Sequence, residues 1–292
     1  MGILGIEGEL LLNIKLFVCC HSPEQIVPKH SLLIPVQVGA VLAPYHFQGF
    51  FHDDTGDNIS KKNRSYCELT AQYWAWKNID ADYYGLFHYR RYLLPDTYIN
   101  KPYVIKKTSV LSYVDKLELN AFEDLLKQYD VILPKKEEMY VSVREHYAKA
   151  LFHHKEDLEL IEKIIREKYP EYISAMDIYL SSTKMYFGNL FIMKKKLFFN
   201  YSRWLFDVLN EFDKRSNFEN YSQQELRVDG YIAERLLGIY IQAHLSSLKL
   251  LEVPKVHFLS NSEYCKQKII SAILPPGSSR RAIIKRLIKR RT

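Results

Sequence analysis

Apolar runs of strand length recur along this chain, and segments with helical periodicity separate them. The strand candidates are Asn13–Cys20, Ile34–Leu42, Tyr83–Phe87, Asp130–Leu133, Tyr186–Met193 and Leu250–Phe258. The helix candidates are residues 65–79, 109–128, most of 141–180, 197–213 and 223–245. Strands that alternate with helices along a chain are typical of an α/β sheet. The pattern therefore predicts one compact α/β domain.

The helix at residues 65–79 has the clearest local signals. Ser65 and Glu68 form the S-x-x-E capping-box pattern, which marks a helix start. An apolar stripe then recurs at the spacing of one helical face: Tyr66, Leu69, Tyr73 and Trp76. Such a stripe is most often buried, so we expect these side chains to pack in the core.

A polar loop precedes this helix. It contains Asp53, Asp54, Asp57, Asn58, Ser60 and Asn63. Short polar side chains of this kind form turns and helix caps, and they also hydrogen-bond ligands. The sequence leaves both interpretations open.

A cationic cluster directly follows the apolar strand Tyr83–Phe87. Its residues are His88, Tyr89, Arg90 and Arg91. In an open α/β sheet, ligands bind in the crevice at the carboxyl ends of the strands. Two guanidiniums at that position can hold a diphosphate by paired hydrogen bonds. The alternative is that one arginine only forms an ion pair with an acid such as Glu68.

The composition is that of a globular protein, and the excess charge is local. The chain has 292 residues, is 47% hydrophobic and has a formal net charge of +7. Residues 280–292 contain seven Lys and Arg and no acid, and without them the basic residues equal the 34 acidic ones. A neutral body argues against a nucleic-acid-binding face. No nucleic acid is therefore expected as a partner.

The C-terminal segment has the pattern of a basic amphipathic helix. Ile283, Ile284, Leu287 and Ile288 share one helical face, and the cations take the other. Such a helix lies on an anionic membrane surface, where each cation contributes about 1 kcal/mol. We expect residues 275–292 to form a linker and a membrane-contact tail. A solvated terminus or a nucleic-acid contact remains the alternative.

Cysteine usage and the N-terminal segment bear on the compartment. The four cysteines show no C-x-x-C pair and no metal-ligand spacing, which is typical of reduced thiols. The first residues lack a basic region, and no apolar run reaches the roughly 18 residues of a membrane span. The expected location is the cytoplasm, peripheral to the inner face of the cell membrane.

Several long motifs resemble one family of bacterial enzymes. They are HDDTGDNIS, YCELTAQYWAWKN, YYGLFHYRRYL, GNLFIMKKKLF with YSRWLF, and GYIAERLLGIYI, within residues 13–260. They are similar to the glycosyltransferases of capsular and exopolysaccharide synthesis, a family first catalogued as a domain of unknown function. The resemblance implies a GT-A-like fold with a mixed central sheet, a donor-binding half at 13–135 and a helical acceptor half at 136–260. It also implies transfer of a sugar from a UDP-sugar, with galactofuranose as one candidate, to a lipid-linked glycan acceptor.

In this fold the donor is expected near the ends of the first strands. The predicted donor-binding residues are Cys20, His21, Gly39, Asp57, Asn58, Asn63, His88, Tyr89, Arg90 and Arg91. Gly39 would allow a close backbone approach, and the Asp and Asn side chains would hydrogen-bond sugar hydroxyls. A single His after a strand is more often structural, so this alternative stays open for His21.

Many GT-A enzymes hold a divalent metal through an Asp-x-Asp sequence at a strand end. This chain has Asp80-Ala81-Asp82, but it precedes the strand and is expected to form a solvated turn. We therefore expect no metal cofactor and hypothesise that Arg90 and Arg91 stabilise the leaving diphosphate. If a metal were required, the ligand candidates would be Asp53, Asp54 and Asp57.

The acceptor and the general base are expected in the second half. An inverting transfer needs a base beside the acceptor hydroxyl. The candidates are Glu234, Asp229 and His154, with Glu234 preferred. Glu234 alternatively forms an ion pair with Arg235, and Asp229 alternatively caps a helix. The predicted acceptor contacts are Asn189, Tyr201 and Trp204, of which Trp204 is alternatively a core residue.

Two questions stay open at this point. Retention of configuration is possible as well as inversion. A non-catalytic nucleotide- or glycan-binding subunit of a polysaccharide assembly complex would share the same motifs. That protein would bind UDP without turning over a nucleotide sugar.

Overall fold

The computed structural model describes residues 12–96, 98–108 and 119–273. The strands are β1 (Ile14–Cys20), β2 (Leu33–Gln37), β3 (Phe51–His52), β4 (Tyr83–His88), β5 (Arg91–Leu93), β6 (Tyr103–Lys107), β7 (Val131–Pro134), β8 (Glu137–Glu138), β9 (Lys184–Met185), β10 (Phe191–Lys194), β11 (Leu250–Val253) and β12 (Lys255–Leu259). The α-helices are α1 (Asn63–Tyr66), α2 (Leu69–Asn78), α3 (Ala121–Gln128), α4 (Val143–Lys149), α5 (Lys155–Lys168), α6 (Ile173–Ser181), α7 (Lys195–Arg215), α8 (Val228–His244) and α9 (Asn261–Ile273).

One mixed sheet of ten strands organises the described chain. Its main order is β11-β7-β10-β4-β1-β2-β3, and β5, β6 and β12 branch from β4. β1 pairs in parallel with β2 and β4, whereas β10 is antiparallel to both β4 and β7. The carboxyl ends of β1, β2 and β4 therefore lie at the same edge, and strands from both halves of the chain share the sheet.

The uninterrupted apolar run of β1 follows from burial on both faces of the sheet. Phe17 and Cys19 pack into one core cluster, and Leu16, Val18 and Cys20 pack into the other. In the neighbouring β4, a Cβ on Gly85 would lie 2.4 Å from a methyl carbon of Leu16. A glycine is therefore needed where β1 and β4 pack most closely.

Two predicted strands are shorter in the structure because of local backbone geometry. The run Ile34–Leu42 leaves the sheet at Gln37, and Gly39, with φ +64°, turns the chain into a 3₁₀ turn at Ala40–Leu42. In the run Tyr186–Met193, residues 188 and 189 have positive φ, so β10 starts only at Phe191.

The late run Leu250–Phe258 is divided at Pro254. The first part, β11, pairs with β7, while the second part, β12, pairs with β5 and β6. Proline cannot donate a hydrogen bond to a neighbouring strand, so it marks the point where the chain changes partners.

The helix predicted at residues 65–79 is two helices. Cys67, with φ +51°, separates α1 from α2. The capping-box prediction is wrong, because the hydroxyl of Ser65 donates to the carboxylate of Asp229 and not to a helix N-terminus. Glu68 is the first residue outside α2, and its side chain makes no cap hydrogen bond.

The other helix predictions agree with the structure where it describes them. Residues 141–180 form α4, α5 and α6, and the two later segments form α7 and α8. Of 109–128, α3 covers the last eight residues, and residues 109–118 lie outside the described parts. The predicted tail at 275–292 also lies outside them. Among the described helices, none combines the length and the apolar character that crossing a membrane requires.

Candidate active site

The ends of β1 and β4 bring together the first group of candidate residues. β4 ends at His88, and the chain turns back through Tyr89 and Arg90 into β5, which begins at Arg91. His21 follows the last residue of β1, and its ring lies 5.4 Å from the Tyr89 ring. The rings of His88 and Tyr89 are 4.3 Å apart. The structure thus places His21 beside residues 88–91, and we call this group the strand-end site.

Arg91 is a partly buried cation in this site. Its guanidinium has no hydrogen bond or ion pair with any residue in the described ranges. Burial and the neighbouring Arg90 lower its pKa, while Glu234 and Glu68 raise it. Arg90 lies over the Tyr89 ring, and its ion-pair distance to Glu263 is 3.8 Å. Two adjacent guanidiniums with so little compensation favour binding of an anion.

The histidines of the site do not add to its charge at neutral pH. Burial, followed by Arg91 and Arg90, lowers the pKa of His88 well below its usual value. Burial and the same two arginines lower the pKa of His257 to about 3. The positive charge therefore resides on the guanidiniums, and the imidazoles remain neutral hydrogen-bonding groups.

Sequence reasoning missed two basic residues of the site. His257 lies opposite Arg91 in the β12–β5 pairing. Arg227 is close enough to His21 to lower its pKa, after the larger effect of burial. Both come from distant parts of the chain, and only the register of β12 and the start of α8 bring them here.

Glu234 faces these cations from α8. Its Oε1 accepts a hydrogen bond of 2.8 Å from the backbone N–H of Gly188, and its Oε2 accepts one of 3.0 Å from Arg235. The Glu234 side chain is 18% exposed, whereas that of Arg235 is 1% exposed. The ion pair expected as the alternative is therefore present, but the carboxylate still reaches the surface.

A second carboxylate, Glu68, lies beside Glu234. Burial raises the pKa of Glu68, the hydrogen bond from Asn189 lowers it, and the charge of Glu234 raises it further. The Nδ2 of Asn189 is 2.8 Å from Glu68 and 3.2 Å from the carbonyl of Gly230. Asn189 thus links α8 to the segment before α2, and its Oδ1 is buried without a partner among the described residues.

Four rings adjoin Glu234, and we call them the aromatic wall: His146, His153, Phe187 and Tyr231. Arg235 donates to the carbonyl of Tyr231, and its guanidinium lies 3.3 Å from His146 Nδ1. The ring of His153 stacks on Tyr231 at 4.3 Å, and His146 packs edge-on to Phe187 at 5.7 Å. Of these residues, only Arg235 was named from the sequence, as an ion-pair partner of Glu234. Stacked rings beside a carboxylate are suitable for holding a sugar acceptor.

Several predicted donor residues have local structural partners. Cys20 is fully buried, and burial raises the pKa of its thiol to about 12. A Cβ on Gly39 would lie 2.6 Å from Asn63, so its open space receives that side chain and not a ligand. The Asn63 amide donates to the carbonyl of Cys67 and to Thr70.

The remaining loop residues lie away from the strand-end site. Asn58 donates to the carbonyls of Asp54 and Gly56, as expected for a turn. Asp57 accepts from Tyr73 and bonds to Asn78 through its backbone N–H. Asn78 ends α2, and the ten residues of that helix span about 15 Å from the Glu68 end. Asp57 thus lies at the far end of α2 from the strand-end site, and the donor role of Asp57, Asn58 and Asn63 remains a prediction.

Three candidates from the second half do not lie at the strand-end site. Tyr201 and Trp204 are 1% and 6% exposed and belong to the core cluster. Asp229 is fully buried and accepts from Ser65, and burial raises its pKa to about 8. It does not cap α8, whose first flanking residue is Arg227.

His154 is engaged elsewhere. Its ring stacks on Tyr221 at 4.3 Å, and its Nε2 is 3.1 Å from Glu225. It flanks the N-terminus of α5, and none of its described contacts involves the strand-end site. Of the three base candidates, only Glu234 lies there.

The Asp-x-Asp sequence is at the amino end of β4, as predicted. Asp80 pairs with Lys195, and Asp82 accepts from the backbone N–H of Asn13. Asp53 binds the backbone N–H groups of Gly39 and Ala40. Within the described residues, no three His, Cys, Asp or Glu side chains are arranged to hold a metal ion.

Comparisons with known proteins agree with this architecture. A family model described as a domain of unknown function (DUF4422) matches residues 15–245. The solved apo structure of a WbbM bifunctional glycosyltransferase is similar, with a TM-score of 0.79 and 33% identity over 84% of this chain. The match covers 45% of that longer chain. No curated protein matches this sequence. The two matches confirm the resemblance of the motifs and the GT-A-like fold.

Proposed function

The chain belongs to the DUF4422 family, and from this membership and the charges of the strand-end site we propose that it transfers a sugar from a UDP-sugar to a glycan acceptor. The proposal is supported by the similarity to a bifunctional glycosyltransferase. Because this chain spans less than half of that protein, the activity of the whole relative is not assumed to be located here.

The observation that carries the proposal is the state of Arg91. The Arg91 guanidinium is partly buried and has no side-chain partner in the described ranges, so its hydrogen-bond donors are free to bind an anion. The departing UDP gains negative charge as the glycosidic bond to its phosphate breaks. Arg90 and Arg91 would thus stabilise the leaving group in the transition state, where a metal acts in other GT-A enzymes.

Glu234 is the proposed general base. Hydrogen bonds from Gly188 and Arg235 fix the orientation of its carboxylate, and the aromatic wall that includes Phe187 and Tyr231 adjoins it. In the proposed reaction, Glu234 takes the proton of the acceptor hydroxyl as that oxygen attacks the anomeric carbon. Attack from the side opposite the diphosphate inverts the configuration.

The finer parts of the proposal rest on the family resemblance. They are galactofuranose as the sugar, a lipid-linked acceptor, and a role in capsule, exopolysaccharide or O-antigen synthesis. The division into donor and acceptor halves at residue 135 and the action on the inner membrane face through residues 280–292 are also proposed. The rival is a non-catalytic subunit that binds a nucleotide or a glycan.

The test is a screen of nucleotide sugars for UDP release, each with and without EDTA. We expect turnover of at least one UDP-sugar in the presence of chelator, and none in an Arg91→Ala variant. UDP binding without turnover of any nucleotide sugar would support the rival. Turnover that disappears in EDTA would refute the metal-independent part. Flotation with anionic vesicles, with and without residues 275–292, tests the tail.

A further inference from the structure

A groove of about 830 Å³ lies on the helical side of the molecule. Its walls come from α1 and the segment before it, from α2, α7 and α8, and from the 3₁₀ turn Pro170–Tyr172. The aromatic residues that line it are Tyr66, Tyr73, Trp76, Tyr169, Tyr172, Trp204, Phe206 and Tyr240. We call it the aromatic groove. It shares no lining residue with the strand-end site, and the proposed chemistry does not use it.

Polar residues of α7 run along this groove. Asn200, Arg203, Asp207 and Asn210 all line it, and their spacing places them on one helical face over about 15 Å. All four are exposed. The Asp207 carboxylate accepts from Tyr169, but the side chains of the other three have no hydrogen bond or ion pair with any residue in the described ranges. The groove therefore offers unused amide and guanidinium groups beside aromatic rings.

One buried polar group of the groove wall lacks a partner. The Nε1 of Trp204 is buried and has no partner among the described residues. Trp76 and Tyr73 are only partly buried, although sequence periodicity predicts core positions for both. A purely structural interface would bury these rings and would pair the buried Nε1 of Trp204.

This combination of groups matches one class of ligand. A sugar ring has apolar C–H faces, which pack on aromatic rings, and a rim of hydroxyls, which pair with amide and guanidinium groups. The line along α7 is long enough for several linked sugars. An apolar peptide would leave the side chains of Asn200, Arg203 and Asn210 without partners. The basic tail of this chain would be repelled by the positive charges of Lys62, Lys77 and Arg203.

We propose that the aromatic groove binds an extended oligosaccharide, the part of the glycan acceptor that is remote from the reacting sugar. This rests on the proposed function for its ligand class. Tyr66 lines the groove two positions before Glu68, so the groove reaches the helix that leads into the strand-end site. A polymer held there would keep the growing chain on the protein between transfers.

The experiment measures glycan binding directly and does not depend on turnover. A galactan hexaose, cellohexaose and maltohexaose are titrated into the full chain, followed by calorimetry and by tryptophan fluorescence. Two of the three tryptophans, Trp76 and Trp204, line the groove. We expect millimolar or tighter binding of at least one hexaose, weakened tenfold or more by Arg203→Ala and by Trp76→Ala.

Arg166→Ala is the matched control, because Arg166 is exposed on α5 and does not line the groove. It should leave hexaose affinity unchanged, and UDP affinity should be unchanged in all three variants. Absence of binding by every hexaose, or equal binding in all variants, would overturn the proposal. So would a dimer in sedimentation that Arg203→Ala and Trp76→Ala dissociate. Glycan binding at the groove without UDP-sugar turnover would instead refute only the proposed enzyme activity.

Discussion

Replacement of Arg91 separates a catalytic cation from a structural one. A structural ion pair predicts that loss of the guanidinium destabilises the fold, because Glu68 and Glu234 would be left without it. A vacant anion site predicts the opposite for stability and a large loss of nucleotide affinity. The structure favours the second case, since the Arg91 guanidinium has no ion pair or hydrogen bond within the described ranges.

The expected magnitudes differ enough to decide. A hydrogen bond between charged partners contributes about 1.5–3 kcal/mol, and a guanidinium can make two of them to a diphosphate. Loss of both in Arg91→Ala should weaken UDP binding by about 100-fold or more. Arg91→Lys keeps the charge but not the paired geometry, so about tenfold weakening is expected.

Stability gives the second readout. Arg91→Met removes a partly buried cation that has no side-chain partner and is repelled by Arg90, so a gain of up to about 1 kcal/mol is expected. That gain would raise Tm by roughly 2–4 °C in a domain of this size. A buried ion pair would instead cost about 3–5 kcal/mol on removal.

The assay combines calorimetric titration of UDP with thermal unfolding of the same samples. Arg166→Met is the control, because its partner Asp177 is half exposed and such a surface pair contributes little. Unchanged UDP affinity in Arg91→Ala, together with a folded circular dichroism spectrum, would refute the assignment. A fall in Tm of about 10 °C in Arg91→Met would identify a structural ion pair.

Three further predictions concern other sites. Glu234→Gln should lower turnover by about 100-fold or more and retain UDP affinity, whereas Glu68→Gln should change UDP affinity by altering the charge beside Arg91. Steady-state kinetics measures the first effect, and calorimetric titration of UDP measures the second. Normal turnover in Glu234→Gln would show that Glu234 is not the general base. The pKa of Asp229 is about 8 in the folded state and 3.8 ordinarily, so between these pH values the folded state keeps a proton that the unfolded state loses, and the folded state becomes less stable as pH rises. Asp229→Asn removes this titration and should stabilise the fold increasingly over that range, by at most about 1.4 kcal/mol per pH unit. Equal effects of the substitution at pH 5 and 8.5 in denaturant titrations would contradict this. Gly238→Ala places a Cβ 1.8 Å from the ring of Tyr179. The overpacking should lower the free energy of unfolding by about 1–3 kcal/mol. An unchanged Tm in thermal unfolding would disprove this.

The sequence determines the framework of the site, because its signals are local. Continuous apolar runs predict β1 and β4, and parallel pairing brings their carboxyl ends to one edge of the sheet. The position of His21 beside His88 and Arg91 follows from those two facts. Glu234 is recognisable as an acid in an otherwise apolar helix, a pattern that needs a functional or ion-pair explanation.

What faces that framework is decided only by the tertiary structure. Period-two alternation places Cys20 and Cys19 on opposite faces of β1, but both faces are buried, so neither thiol reaches the site. The polar loop residues Asn58 and Asn63 satisfy backbone groups nearby, which composition cannot distinguish from a ligand contact. A single positive φ at Cys67 turns Glu68 toward Glu234, and no local propensity predicts that turn.

The same distinction applies to the aromatic residues. Periodicity assigns Tyr66, Tyr73 and Trp76 to one helical face, yet whether that face is core or groove depends on where α7 packs against it. The register of β12 likewise brings His257 to Arg91 across 166 positions of sequence. The local sequence pattern determines which side chains avoid water. Long-range packing determines which of them share a surface, because contact energies depend on distances between residues that are far apart in the sequence.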